Sequence, residues 1–331
     1  MAISGVIRGV RFSGMACAVP ENIVGNENFK ITFGEEQILK FEKMVGVKER
    51  RIASQDERTS TLALAAARKL WVAGSMEPVS IDAVLFVSQT PDYKLPATAC
   101  VVQNALGIKK DCIAYDINLG CSGFVYGVLS AAALMKMDGV NKVLLCGGDT
   151  LSKIINPSDA ASAPLFGDAG FATLLVRDEQ APDIHYAFKT DGSGSAAIEC
   201  EFGQTVKMDG MDVFNFTINE VPDLIKSQME DAQLTSAQVD YLVLHQANKF
   251  VLKQVAMMTG FTMKKVPISI DRFGNTSSAS IPLTLCDLAS KEKGSKKMVM
   301  SGFGVGLSWG SLITDFDLGC CLPMGGAYGA C

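Results

Sequence analysis

The chain has 331 residues, 48% of them hydrophobic and 20% charged, with 35 acidic against 30 basic side chains. At about 100–200 residues per domain, this length predicts two domains or one large α/β unit, and the composition excludes a disordered chain. The net charge of −5 excludes a polybasic partner for nucleic acid or anionic lipid.

Along the chain, the opening MAISGVIRGVRFSG is broken by Arg8 and Arg11, so it does not read as a signal peptide. Thr59–Ala73 then predicts a helix, Ile81–Ser88 a strand, Pro96–Leu106 a helix and Cys112–Asn118 a strand. Ser122–Met137 predicts a helix; its apolar part carries Ser122, Gly123, Gly127 and Ser130, which argues against a membrane span. Lys142–Cys146 closes the series as a strand. The second half repeats this order: helix Val221–Ala232, strand Val239–Leu244, helix Lys249–Thr259, short strand Val266–Ile270, helix Ser277–Ser290 and strand Lys297–Ser301. Short aliphatic runs alternating with longer amphipathic stretches predict an α/β fold around largely buried sheets.

The two halves are related. IDAVLFVSQT aligns with VDYLVLHQAN, Asp82 on Asp240, at an offset of 158. NLGCSGF lies against RFGNTSS, Cys121 on Asn275, at 154, and KVLLCGG against KMVMSGF, Lys142 on Lys297, at 155. A nearly constant offset in one order predicts tandem βαβαβ halves. The boundary falls near Arg177–Pro182, giving residues 1–178 and 179–317, with 318–331 as a tail.

Ten cysteines are scattered without a CxxC pair or a Cys/His cluster at metal-ligand spacing. Most sit in apolar runs as reduced core residues, and the expected compartment is cytoplasmic. Cys121 differs: it follows the strand CIAYDIN and opens a long helix, where the dipole and free N–H groups favour a thiolate over a thiol of ordinary pKa about 8.5. The only histidines are His185 and His245. His245 follows VDYLVL just beyond a strand's C-terminal edge, where α/β active sites gather, while His185, in the polar run PDIHYAFKTDGSG, reads as surface structure. Asn275 alone reads as a helix N-cap. As the repeat mate of Cys121 it is brought, with His245, toward the same place. The run Gly302–Gly306 (GFGVG) lacks a dinucleotide fingerprint and suits backbone N–H donation to an oxyanion.

These residues sit in PDYKLPATACVVQNALG (91–107), DINLGCSGFVYG (116–127), NPSD (156–159), LFGDAG (165–170), LHQAN (244–248), RFGNTSSASIP (272–282) and SGFGVGLSWG (301–310). Together they resemble the β-ketoacyl-ACP synthase III family of thiolase-superfamily condensing enzymes, up to about Phe316. The resemblance implies a thiolase-like αβαβα layering of duplicated halves, a cytoplasmic homodimer in fatty acid biosynthesis, and a Cys121–His245–Asn275 triad. It implies that Cys121 takes an acyl group from a primer thioester, and that decarboxylative condensation with malonyl-ACP then gives a 3-oxoacyl-ACP. The oxyanion hole falls on the N–H groups of Cys121 and Val305. Leu95, Phe303 and Gly306 fall in the acyl pocket, Leu95 reaching across the dimer, and Lys249 and Lys253 fall where acyl carrier protein docks. No metal or cofactor is implied; acyl-CoA or acyl-ACP is the substrate.

Lys40 and Met44 stand where CoA-binding relatives have a Trp and an Arg, and Ala160 where an Arg follows NPSD, so CoA primers are expected to bind weakly. Two other readings remain: a member that transfers its acyl group to an amine or hydroxyl, and a partner subunit of a specialised ketosynthase. A papain-like protease shares the order Cys, His, Asn but explains neither the duplication nor a cysteine opening a helix after a strand.

Overall fold

Apolar runs of four to ten residues, several of them followed by a helix that crosses back over a sheet, set the architecture. The computed structural model describes residues 2–324. Its first half comprises β1 (Ile3–Ile7), β2 (Val10–Ala18), β3 (Ile23–Gly25), α1 (Asn26–Phe33), α2 (Glu35–Val45), β4 (Glu49–Arg51) and α3 (Thr59–Val72). It continues through β5 (Ala83–Val87), α4 (Thr98–Ala105), β6 (Ile113–Ile117), α5 (Gly123–Leu134), β7 (Lys142–Asp149) and β8 (Ala169–Arg177). The second half comprises β9 (Ile184–Thr190), β10 (Ile198–Glu199), β11 (Lys207–Met208), α6 (Gly210–Asp231), β12 (Tyr241–Leu244), α7 (Lys249–Met258), α8 (Ile270–Phe273), α9 (Ser280–Leu288), β13 (Ser295–Gly304) and β14 (Ser308–Asp317).

Two five-stranded mixed sheets result, ordered β2-β8-β7-β5-β6 and β1-β9-β14-β13-β12. The repeat is visible strand by strand: β5 corresponds to β12, β7 to β13, β8 to β14 and β2 to β9, with β1 added beside β9 on the second sheet. Helices α3 and α4 pack on the outer face of the first sheet and α6 and α7 on the outer side of the second, while α5 and α9 lie between them. This is the αβαβα layering.

The central layer follows from sequence. In α5, a Cβ on Gly123 would stand 2.4 Å from Val87 and one on Gly127 2.6 Å from Leu145, so the glycines lay the helix directly on β5 and β7. All nine residues of α9 are buried; its Pro282 falls in the first turn, where a missing N–H leaves no helical bond unmade. Phe124, Val125, Val128, Ile281, Leu285 and Cys286 join the core between the sheets.

Several expectations are corrected. Val266–Ile270 is not a strand, and the second sheet ends at β12. Pro267 has no N–H for a ladder, and the N–H groups of Ser269 and Ile270 go instead to the side-chain oxygen of Gln246, at 3.0 and 3.3 Å. Helix α6 starts eleven residues before Val221, capped by Asp209, whose carboxylate accepts from the N–H groups of Met211 and Asp212. Pro222 mimics a helix start but lies inside this helix. Ser277–Ala279 forms a 3-10 turn before α9 rather than its first residues. His185, expected as surface structure, is half-buried in β9, paired with Val6 and Ile313. The described part of 318–331 packs on the body: Leu318 and Cys321 are buried, and the Leu322 N–H donates to the Met15 carbonyl at 2.8 Å. Cys331 lies outside the described residues. Among the described residues no disulfide joins the cysteines, Cys17, Cys146, Cys286 and Cys321 are buried, and no helix is long and apolar enough to cross a membrane.

Candidate active site

Between the end of β6 and the start of α5, the turn Asn118–Ser122 carries Cys121. Its tightness is built from absent side chains. A Cβ on Gly120 would stand 2.2 Å from Gln89 and 3.0 Å from the Ser277 hydroxyl. From the second half, Gly302 passes so close that a Cβ there would lie 2.9 Å from the Cys121 carbonyl oxygen.

His245 follows β12 directly. Its backbone N–H donates to the Ser301 carbonyl at 2.8 Å, its Nδ1 lies 2.7 Å from the Ser280 hydroxyl, and its ring stands edge-on to Phe303. Burial pushes its pKa down to about 3, against a smaller opposing hydrogen bond that the ring donates to the Ser277 backbone, so the ring is neutral at physiological pH.

Asn275 is held by the LFGDAG segment. Its N–H donates to the Leu165 carbonyl at 2.9 Å, and its carbonyl accepts from the Gly167 N–H at 3.1 Å. The side chain is oriented too: Oδ1 accepts the Ser277 N–H at 3.0 Å, which leaves the Nδ2 protons free to face outward. Ser277 reaches that position with φ of 50°, the left-handed region that a non-glycine residue enters at a cost of about 1–2 kcal/mol.

Beneath these residues lies Asp149, wholly buried at the end of β7. It accepts from the N–H of Gln89 at 2.8 Å and from the hydroxyls of Ser278 and Ser88 at 2.8 and 3.1 Å. Burial and the Asp149 carboxylate push the Cys121 thiol up to about 12; the Ser277 hydroxyl, 4.0 Å from the sulfur, works in the other direction. The expectation of a thiolate favoured by its helix terminus is therefore corrected: desolvation of the half-buried sulfur outweighs it, and the resting group is the thiol.

Cys121, His245, Asn275, Ser277, Phe303 and Val305 line one cavity of about 1140 Å³. The nucleophile candidate and two neutral N–H donors thus share one space. Within a single protomer, Gly306 and Leu95 do not line it, and Leu95 is 82% exposed. Lys249 and Lys253 are exposed on α7, whose N-cap Asn248 lines the cavity. Sequence reasoning missed Asp149, Ser277 and Ser280, and also a basic stretch of the rim: Arg58 stacks over Tyr93 and Lys94 over Phe202. A lone aspartate ending an apolar strand and a serine run after GNT were the available signals.

Two duplicated α/β halves meeting over a cysteine at a strand–helix turn define a thiolase-like condensing enzyme. Family profiles narrow the class: "3-Oxoacyl-[acyl-carrier-protein (ACP)] synthase III" matches residues 115–192, and its C-terminal counterpart matches residues 229–316. The beta-ketoacyl-[acyl-carrier-protein] synthase III of Neisseria meningitidis serogroup C / serotype 2a is 33% identical over 319 residues, 92% of this chain and 99% of the relative. That of Clostridium novyi (strain NT) is 34% identical over 316 residues, 90% and 96% of the two chains. The crystal structure of a 3-oxoacyl-(acyl-carrier protein) synthase from Burkholderia xenovorans LB400 superposes with a TM-score of 0.92 at 34% identity, covering 97% of this chain and 98% of that one. The chain belongs to the β-ketoacyl-acyl-carrier-protein synthase III family, and it is an acyl-transferring condensing enzyme.

Proposed function

We propose that the chain catalyses a two-step condensation in which Cys121 is the nucleophile and His245 and Asn275 are hydrogen-bond donors. The observation that carries this is the convergence of the three side chains on one cavity from three separate motifs. In the first half-reaction the Cys121 sulfur attacks a primer thioester, the carrier thiol leaves with the proton, and an acyl-cysteine remains. The developing oxyanion is held by backbone N–H groups of Cys121 and Val305. In the second, malonyl-ACP loses CO2, and the enolate oxygen accepts hydrogen bonds from the neutral imidazole and the Asn275 amide. The carbanion then attacks the acyl-cysteine carbonyl, releasing the Cys121 sulfur and a 3-oxoacyl-ACP. An oxyanion donor is worth about 3–4 kcal/mol in systems of this kind, which is why a ring that stays neutral and keeps an N–H suits the task.

The carrier protein approaches α7 through Lys249 and Lys253, and Phe303 walls the acyl site with Gly306. Leu95 belongs to that site across a cytoplasmic homodimer. Supporting the dimer are its exposure beside the half-exposed Tyr93 and the unpaired edge of β6, where Tyr115 is also accessible. Acyl-ACP is the better primer donor than acyl-CoA: the Lys40 ammonium is paired with Glu36 at 2.7 Å, and neither Lys40, Met44 nor Ala160 lines the cavity.

Intact-protein mass spectrometry of wild type and Cys121→Ala with panels of acyl-CoAs and acyl-ACPs tests the reading. One added acyl mass on wild type alone is expected, stronger from acyl-ACP. Labelling of the variant would remove Cys121 from its role; low-micromolar acetyl-CoA affinity would remove the donor preference. An acylated wild type that releases its acyl group only to an amine or hydroxyl would favour the other-acceptor reading.

A further inference from the structure

A neutral imidazole has one N–H, and only one of its two tautomers presents that N–H from Nε2. In this chain the choice is not left to solvent, because His245 is buried and its Nδ1 is 2.7 Å from the buried hydroxyl of Ser280. Ser280 is the first residue of α9. Among the described residues its Oγ has no other hydrogen-bond partner than His245. If Nδ1 carried the proton, the Ser280 O–H would be buried with nothing to donate to, an expensive arrangement. If Nδ1 is bare, the Ser280 O–H donates to it and both groups are satisfied.

The backbone that holds Ser280 is itself fixed. Its carbonyl accepts the Thr284 hydroxyl at 2.7 Å, and Thr284 Oγ1 lies 2.7 Å from the Ser269 hydroxyl. The N–H of Ser269 is bound by Gln246, the residue after His245. The ring and its hydroxyl partner are thus held at both ends by one closed set of contacts between the β12–α7 turn and the first turn of α9.

We infer that Ser280 is a positioning residue: by donating to Nδ1 it locks His245 in the Nε2–H tautomer and so maintains the donor used in the condensation half-reaction. This rests on the reading of His245 as a hydrogen-bond donor. Nothing in the acylation half-reaction depends on it.

The chain's two histidines make the test direct. With 15N-labelled protein, and His185→Gln to leave one imidazole, long-range 1H–15N spectra report the His245 tautomer. Wild type is expected to show Nε2–H alone, and Ser280→Ala a mixture with Nδ1–H. Decarboxylation of malonyl-ACP by Ser280→Ala should fall about tenfold in kcat, the worth of one hydrogen bond, with acyl-Cys121 formation within twofold of wild type. Ser280→Cys, nearly isosteric but a poorer donor, should fall between, and it serves where Ser280→Ala does not fold. A tautomer unchanged in both variants overturns the proposal. A shifted tautomer with undiminished condensation leaves Ser280 its role on the ring and overturns instead the reading of His245 as the donor.

Discussion

Gly304 faces Cys121 so closely that a Cβ on the glycine would stand 2.8 Å from the cysteine Cβ and 3.2 Å from its sulfur. The last residue of β13 in the second half therefore sets the room available to the proposed nucleophile of the first. Gly304→Ala must push the thiol away from its place in the cavity. Acyl-Cys121 formation, followed by intact mass, should fall on the order of 100-fold, because an ångström of misplacement at a reacting atom has that effect. Wild-type rates in this variant would mean that Cys121 moves during the reaction.

The two functional side chains respond to pH in opposite ways. Cys121 is pushed up to about 12, so the rate of its acylation should climb about tenfold per pH unit across the neutral range, with no plateau. His245 is pushed down to about 3, so the decarboxylation step should show no imidazole titration near neutrality. Measuring the half-reactions separately against pH checks both; an inflection near 6.5 in decarboxylation would show a solvated His245.

The same burial makes stability depend on pH. In the unfolded chain His245 takes up a proton near its ordinary 6.5, whereas in the folded chain it does so only near 3. Its folded pKa is depressed, so its contribution is fully present above 6.5 and is lost as pH falls toward 3, at up to about 1.4 kcal/mol per pH unit. Urea unfolding across that window should show His245→Gln with a shallower slope than wild type.

How much of this was legible in the sequence depends on how local the signal is. Cys121 sits in the turn between a strand and a helix, His245 follows an aliphatic strand, and Asn275 sits in a glycine-flanked turn before a helix, so local pattern and the repeat marked all three as candidates. Ser277, Ser280 and Asp149 act through contacts with residues 129 or 35 positions away, or through a positive φ, and the serine run and the strand-end aspartate that hold them do not by themselves point to those contacts. The same limit applies to the fold. Alternating strands and helices were readable, but Pro222 inside α6 imitates a helix start, and the glutamine that takes over the N–H groups of Ser269 and Ile270 lies 23 residues earlier.

Thiol accessibility separates the cysteines. Cys100 and Cys200 are exposed, whereas Cys17, Cys146 and Cys286 are buried. A brief pulse of iodoacetamide on the native protein, read by peptide mapping, should modify the first two, leave the buried three until unfolding, and reach Cys121 slowly because its thiol ionises so late. Early modification of Cys286 would show that α9 opens in the native state.

Asp149 couples stability to reactivity and allows one substitution to separate them. Its oxygens accept from Gln89, Ser88 and Ser278, so Asp149→Asn turns an amide donor toward groups that are themselves donors, at about 1–3 kcal/mol for each one left unsatisfied. The melting temperature should drop. The carboxylate is also the charge that, after burial, holds the Cys121 thiol up. Removing it leaves desolvation as the one upward push, so the folded fraction should ionise Cys121 at lower pH, and the acylation–pH profile should move toward acid, raising the rate at a given neutral pH. A profile that stays in place as the melting temperature falls would mean that Asp149 is protonated in the native protein, its burial having already neutralised the charge.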